Sequence, residues 1–163
     1  MKRLLLLTLT LFITTSAFAQ TVVNVTDADF GSSDVTWTKD NIYVLTEMIF
    51  VKPGTKLTIE PGTVIKGAVG DGNDATGLVV TMGAQIFAEG TAEEPIIFTS
   101  ELDDLNGSLT ELDRGLWGGV VVLGDAPTNN ATADGTKLVE GVNEIANPEA
   151  YAKYGGDDVD DNS

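Results

Sequence analysis

The densest chemistry in this sequence is the run Gly155-Gly-Asp-Asp-Val-Asp-Asp-Asn162. Asp157, Asp158, Asp160 and Asp161 place four carboxylates within five residues, where they repel one another unless a cation or solvent screens them. Ca²⁺ takes about six to eight oxygen ligands, and Asp carboxylates, Asn162 and backbone carbonyls are of that kind. The spacing is not that of an EF-hand loop, because the Gly at its sixth position and the closing Glu are absent. Nor is it the Gly-Gly-x-Gly-x-Asp repeat of calcium-binding β-rolls. Calcium ligation and a solvated acidic turn are the two readings of this run.

Other carboxylates come in pairs. Asp103-Asp104 and Glu111-x-Asp113 could in principle do acid and base work on a glycosidic bond, although sequence spacing does not give the separation of their carboxyl groups. Arg114, beside Asp113, reads as half of a surface ion pair. Asp71 and Asp74 lie in a Gly-rich stretch, Gly67–Gly77, that fits neither a dinucleotide fingerprint nor a phosphate loop. The chain has no His and no Cys, which removes the commonest general base, thiolate nucleophiles, disulfides and zinc–thiolate sites. There is no Gly-x-Ser-x-Gly elbow. No catalytic constellation is assembled from these residue types. Trp37, Trp117, Tyr43, Tyr151 and Tyr154 are the aromatics that could stack on a sugar ring. Trp117 is the best placed of them, because Gly118 and Gly119 leave a ring face open. The rival role for Trp117 is to plug a corner ahead of the apolar Val120–Leu123 run.

These residues sit on an exported chain. Lys2 and Arg3 precede an apolar stretch from Leu4 to Ile13, and Ala17-Phe18-Ala19 supplies small residues for cleavage after Ala19. That is the pattern of a secretory signal peptide, residues 1–19, and it is short for a membrane span. No Cys follows it, so no lipid anchor is expected, and no later segment is apolar enough to span a membrane. The formal charge is −16, and losing Lys2 and Arg3 takes it to −18. Such a surface repels nucleic acid and anionic lipid.

Helical periodicity is scarce. Short β-rich runs bounded by Gly, Pro, Asn or Asp cover Val22–Val25, Val35–Thr38, Ile42–Leu45, Met48–Val51, Lys56–Ile59, Val64–Lys66, Leu78–Thr81, Gln85–Ala88, Ile96–Thr99 and Gly118–Leu123. Helical turns are expected at Ser108–Asp113 and Pro148–Tyr154. An internal echo joins the strands. Val51-Lys-Pro-Gly-Thr-Lys-Leu-Thr-Ile-Glu-Pro-Gly-Thr63 lies over Val80-Thr-Met-Gly-Ala-Gln-Ile-Phe-Ala-Glu-Gly-Thr91, with one gap at Pro61. Setting aside Gly67–Gly77 as an insertion leaves a repeat of about 18 residues, the scale of one solenoid coil. A β-sandwich would also give short strands and regular turns. It does not account for the echo.

Several runs, taken together, resemble a known family. They are Leu57-Thr-Ile-Glu-Pro-Gly-Thr-Val-Ile-Lys-Gly67, Ala88-Glu-Gly-Thr-Ala-Glu-Glu-Pro-Ile-Ile-Phe-Thr-Ser100, Trp117-Gly-Gly-Val-Val-Val-Leu-Gly-Asp-Ala-Pro127 and Tyr154-Gly-Gly-Asp-Asp-Val-Asp-Asp-Asn-Ser163. Their order and composition over residues 42–163 resemble exported bacterial right-handed parallel β-helix proteins, similar in fold to pectate lyases. The resemblance implies an all-β, right-handed parallel β-helix, with residues 20–41 as lead-in and N-terminal cap and 42–163 as the first coils with side loops. It also implies further coils beyond Ser163, and secretion to the outer surface or periplasm of a Gram-negative-type bacterium. Pectinolytic enzymes of similar fold use His with paired Asp, or Ca²⁺ with a basic Arg or Lys. This chain has no His, and Arg114 is its one Arg after the signal. The function expected is a non-catalytic surface protein that binds glycan or another surface. The alternatives are a polysaccharide lyase or hydrolase with its site in further coils, and a Ca²⁺-stabilised stalk.

Overall fold

The computed structural model describes residues 19–129, 134–142 and 151–160. The expected signal peptide up to Phe18, together with Asp161 and Asn162, lies outside the described residues. The chain winds as a parallel β-helix with three sheets. The first coil holds β1 (Thr21–Val25), a single 3-10 turn (Asp27–Asp29) and β2 (Val35–Trp37). The second holds β3 (Asn41–Leu45), β4 (Met48–Val51) and β5 (Lys56–Ile59), and the third β6 (Val64–Gly67), β7 (Gly77–Val80) and β8 (Gln85–Ala88). The fourth supplies β9 (Ile97–Ser100) and β10 (Val120–Val122), after which β11 (Lys137–Leu138) and β12 (Lys153–Tyr154) form a small antiparallel pair. Sheet 1 is β1-β3-β6-β9, sheet 2 is β4-β7-β10 and sheet 3 is β2-β5-β8, all parallel.

The sequence echo is one turn of this helix. Leu57 pairs with Ile86 and Ile49 with Leu78, each 29 residues on. Coils without an insertion are shorter: Thr21 pairs with Asn41 and Ile42 with Val64, offsets of 20 and 22. The repeat of about 18 is therefore too short. Gly67 and Gly77 are themselves strand residues, so the insertion is the nine residues 68–76, and 29 less nine leaves 20.

Alternation along each strand decides which side chains enter the interior. Tyr43, Leu45 and Ile65 from sheet 1, Ile49, Val51, Leu78 and Val80 from sheet 2, and Leu57 and Ile59 from sheet 3 form one buried column. Trp37 closes it at the first coil, stacked on Tyr43 at 4.9 Å with Phe30 edge-on at 5.8 Å. Residues 20–41 thus supply rungs as well as a lead-in. Where sheet 2 has no strand in the first coil, Asp27 takes its place: its carboxylate accepts the Phe50 N–H (2.9 Å) and pairs with Lys52 (2.9 Å). The otherwise unpaired edge of β4 is answered by a charge, a standard way to blunt a sheet edge.

The corners explain the echoed Gly and Thr. Gly54 and Gly83 hold φ of +80° and +75° at equivalent bends, and the Gly54 N–H donates to the Gly83 carbonyl at 2.8 Å. Gly90, the counterpart of Gly62, has an ordinary φ; a Cβ there would lie 2.9 Å from the Ile96 nitrogen, so close approach requires it. The buried hydroxyls of Thr55 and Thr63 each donate to the carbonyl three residues back (2.7 Å), which also accepts the same threonine's backbone N–H, so the buried hydroxyl is satisfied within the turn.

Ser108–Asp113 is not helical. Its carboxylate prevails over local helix formation: Asp113 accepts both the N–H and the hydroxyl of Thr110, closing a tight turn. Lys153–Tyr154 is strand β12 rather than the end of a helical turn, because its edge pairs with β11; Pro148–Ala150 lie outside the described residues.

Candidate binding face

The expected chemical residues fall at separate places. In the acidic turn, Asp157, Asp158 and Asp160 are exposed, and the Asp158 carboxylate accepts the Asp160 N–H at 2.9 Å. Among the described residues no three carboxylates converge as a metal cluster. The two glycines ahead of the turn are structural. The Gly155 N–H donates to the Gly124 carbonyl (2.8 Å), and Gly156 passes so close to the Asp125 carboxylate that no side chain fits there.

The carboxylate pairs are loop staples. Asp103 accepts the Thr99 hydroxyl (2.7 Å) and the Leu105 N–H (2.8 Å), and Asp104 accepts the Asn106 N–H (2.8 Å). These hydrogen bonds, led by Thr99 for Asp103 and by the Asn106 N–H for Asp104, hold both carboxyls below the usual range. Thr110 does the same for Asp113, its N–H first. A general acid must keep its proton near neutral pH, and these groups are biased the opposite way. Arg114 and Asp113 do not pair; the Arg114 Nε donates to the Glu111 carbonyl at 2.9 Å instead.

Trp117 lies against Gly67. A Cβ on Gly67 would come 2.5, 2.6 and 2.7 Å from Cε3, Cδ2 and Cγ of the indole. The ring is half-buried against the core column. It also borders a cavity of about 240 Å³ with Phe98, Ser100 and Asp113. Gly118 donates to the Thr76 carbonyl at 2.7 Å, tying this segment to the 68–76 insertion that carries Asp71 and Asp74. Trp37 and Tyr43 are core, and Tyr151 covers Phe50 at 5.7 Å.

The three outer faces of the helix differ. Sheet 2 is covered, since its outward Phe50, Val79 and Val121 lie under Val142, Tyr151, Ala152 and Tyr154. Sheet 1 is half covered: outward Val64 is buried and Lys66 reaches the Asp103 carbonyl at 2.5 Å. Sheet 3 is left bare by the described residues. Its outward Thr36, Lys56, Thr58 and Phe87 are exposed, Phe87 at 42%. Thr36, Thr58 and Phe87 are direct register partners on successive coils. Adjacent rungs lie about 4.8 Å apart, so these side chains form a row across the strands. Beside Phe87 is a cavity of about 430 Å³ lined by Thr58, Ile59, Glu60, Pro61 and Glu89.

Phe87 was not among the aromatics expected to stack. The echo itself carried the signal. It sets Phe87 on Thr58, a polar outward position, while Ile86 falls on the buried Leu57.

No helix among the described residues is long and apolar enough to cross a membrane. No curated protein and no solved structure matches the chain. Residues 29–163 do match one family model, in accord with the three stacked parallel sheets, and the chain belongs to the family of pectate-lyase-like β-helix domains.

Proposed function

We propose that this β-helix is exported and binds an extended carbohydrate, without cleaving it, across the outer face of sheet 3. The observation that carries the reading is the row Thr36–Thr58–Phe87, an exposed aromatic with hydroxyls on a rigid flat sheet. An aromatic face takes the apolar face of a sugar ring, and hydroxyls and carboxylates at its edge take the sugar hydroxyls. The staple geometry of Asp103, Asp104 and Asp113 favours binding over acid–base chemistry. Export rests on the N-terminal pattern Lys2-Arg3, Leu4–Ile13 and Ala17-Phe-Ala19.

The test is calorimetric titration of the secreted protein with a panel of soluble oligosaccharides, comparing wild type with Phe87→Ala. Binding of at least one glycan, weakened in the variant with no loss of melting temperature, supports the reading. Chain shortening of the bound glycan, or equal binding by the variant, overturns it. Amino-terminal sequencing of the secreted chain should begin at Gln20; a chain still bearing Met1 in the cell fraction would overturn export.

A further inference from the structure

We infer that the glycan held on sheet 3 carries free ammonium groups: the face is suited to an amino-sugar chain, not to a neutral or uronic-acid one. This rests on the carbohydrate reading of the same face. The argument is charge complementarity. The corner that leads from sheet 3 to sheet 1 carries Asp40, Glu60, Glu89, Glu93 and Glu94 on successive coils, and Lys39 lies beside Asp40, Glu60 and Glu94. The Gly62 N–H donates to the Glu94 carbonyl at 2.9 Å, which fixes the stacking of that corner.

Lys39 does not neutralise it. Its ammonium is taken by Glu94 at 2.6 Å, and that hydrogen bond is the first cause of its raised pKa. The Glu60 carboxylate accepts the Lys39 backbone N–H at 3.4 Å, and Glu60 and Glu89 both line the wall of the cavity that holds Phe87. Glu89 is exposed and has no hydrogen-bond or ion-pair partner among the described residues. Asp34 accepts the Lys56 N–H at 2.9 Å, and the Lys56 side chain is the other cation on this face, two residues before Thr58 on β5.

An ammonium beside an aromatic ring gains from the negative ring face, and two carboxylates at the ring's flank add direct attraction. A uronate would meet those same carboxylates and a chain of formal charge −16. A neutral, N-acetylated sugar could stack on Phe87 but would leave the carboxylates to water.

Three probes separate the cases: a glucosamine hexamer, its N-acetylated counterpart and a galacturonate hexamer. They are titrated into the full chain at about pH 5.5, where free amines are protonated. The glucosamine hexamer should bind best. Its affinity should fall steeply between about 0.02 and 0.3 M salt, since exposed charges are screened over that range. Glu60→Gln with Glu89→Gln should weaken it by roughly three- to tenfold, and Phe87→Ala by about threefold. The Gln variants keep side-chain size and hydrogen bonding, so a change reports charge. Equal or tighter binding of the N-acetylated hexamer, insensitive to salt and to the Gln changes, overturns the ammonium inference and leaves the carbohydrate reading intact. Tighter binding of the galacturonate hexamer also overturns it. Binding of none of the three, or of any glycan in the wider panel, overturns both.

Discussion

Gly67 and Trp117 form the contact that decides what Trp117 is for. Gly67→Ala adds a methyl where the indole already lies, at 2.5–2.7 Å from three ring atoms. Atoms cannot approach that closely, so the indole or β6 must shift. Overpacking of this kind costs about 1–3 kcal/mol. At roughly 2–4 °C per kcal/mol for a chain of this size, the melting temperature should fall by about 4–8 °C for a mid-range cost. Trp117→Ala removes a half-buried indole from the core column and should cost about 3 kcal/mol. The informative quantity is their coupling. With the indole gone, Gly67→Ala meets no clash and gains from a stiffer unfolded chain, so its effect should be about zero or slightly stabilising. The double-mutant cycle should therefore return a coupling of about 2 kcal/mol, read by urea denaturation of the four proteins. If Gly67→Ala costs the same with and without Trp117, the indole does not rest on Gly67, the plug is refuted and both ring faces become available to a ligand.

Other outcomes follow from the same geometry. Leu57→Ala should cost about 2–5 kcal/mol because Leu57 is fully buried, whereas Phe87→Ala, outward on the neighbouring rung, should stay within about 0.5 kcal/mol; equal losses by denaturation would mean the register is wrong. Asp27→Ala should cost about 1–3 kcal/mol by leaving the Phe50 N–H without its acceptor and the Lys52 ammonium with only backbone acceptors such as the Phe30 carbonyl, and hydrogen exchange should quicken at Phe50 before it does at Val79; unchanged exchange at Phe50 would remove the cap. The carboxyls of Asp103 and Asp104 are depressed in the folded chain, so the stability they add is present above the unfolded value near ~3.9 and is lost as pH falls through their lower folded values. Protection of the Leu105 and Asn106 amides against exchange, relative to their unfolded rates at the same pH, should therefore fall below about pH 4. Asp103→Asn should remove that acid dependence at Leu105, and an acid response at Leu105 unaltered in the variant would count against the staple.

The strands were legible because short β-branched runs between Gly and Pro turns have few other solutions, and the echo at Leu57 and Ile86 marks one coil in the sequence itself. The corner glycines were legible for the same reason, since a turn with positive φ selects Gly at positions 54 and 83. Two things were not. Ser108–Asp113 looked helical, but a carboxylate reaching back to Thr110 gave the backbone a tighter alternative. The pair β11–β12 has two residues per strand, too few for any period to register.

By itself the sequence determined the solenoid, its inward column and the chemistry these residues lack: with no His, no Cys and one Arg after the signal pattern, no stacking of the coils within residues 1–163 can supply those groups. The tertiary structure decided which outward residues meet solvent. Phe50 and Phe87 both alternate outward on their strands, yet Phe50 is fully buried beneath the segment around Tyr151 and Phe87 is bare. Periodicity fixes the direction in which a side chain points. What covers it depends on where a distant segment folds back, and that depends on packing between residues as far apart as Phe50 and Tyr151 rather than on local sequence.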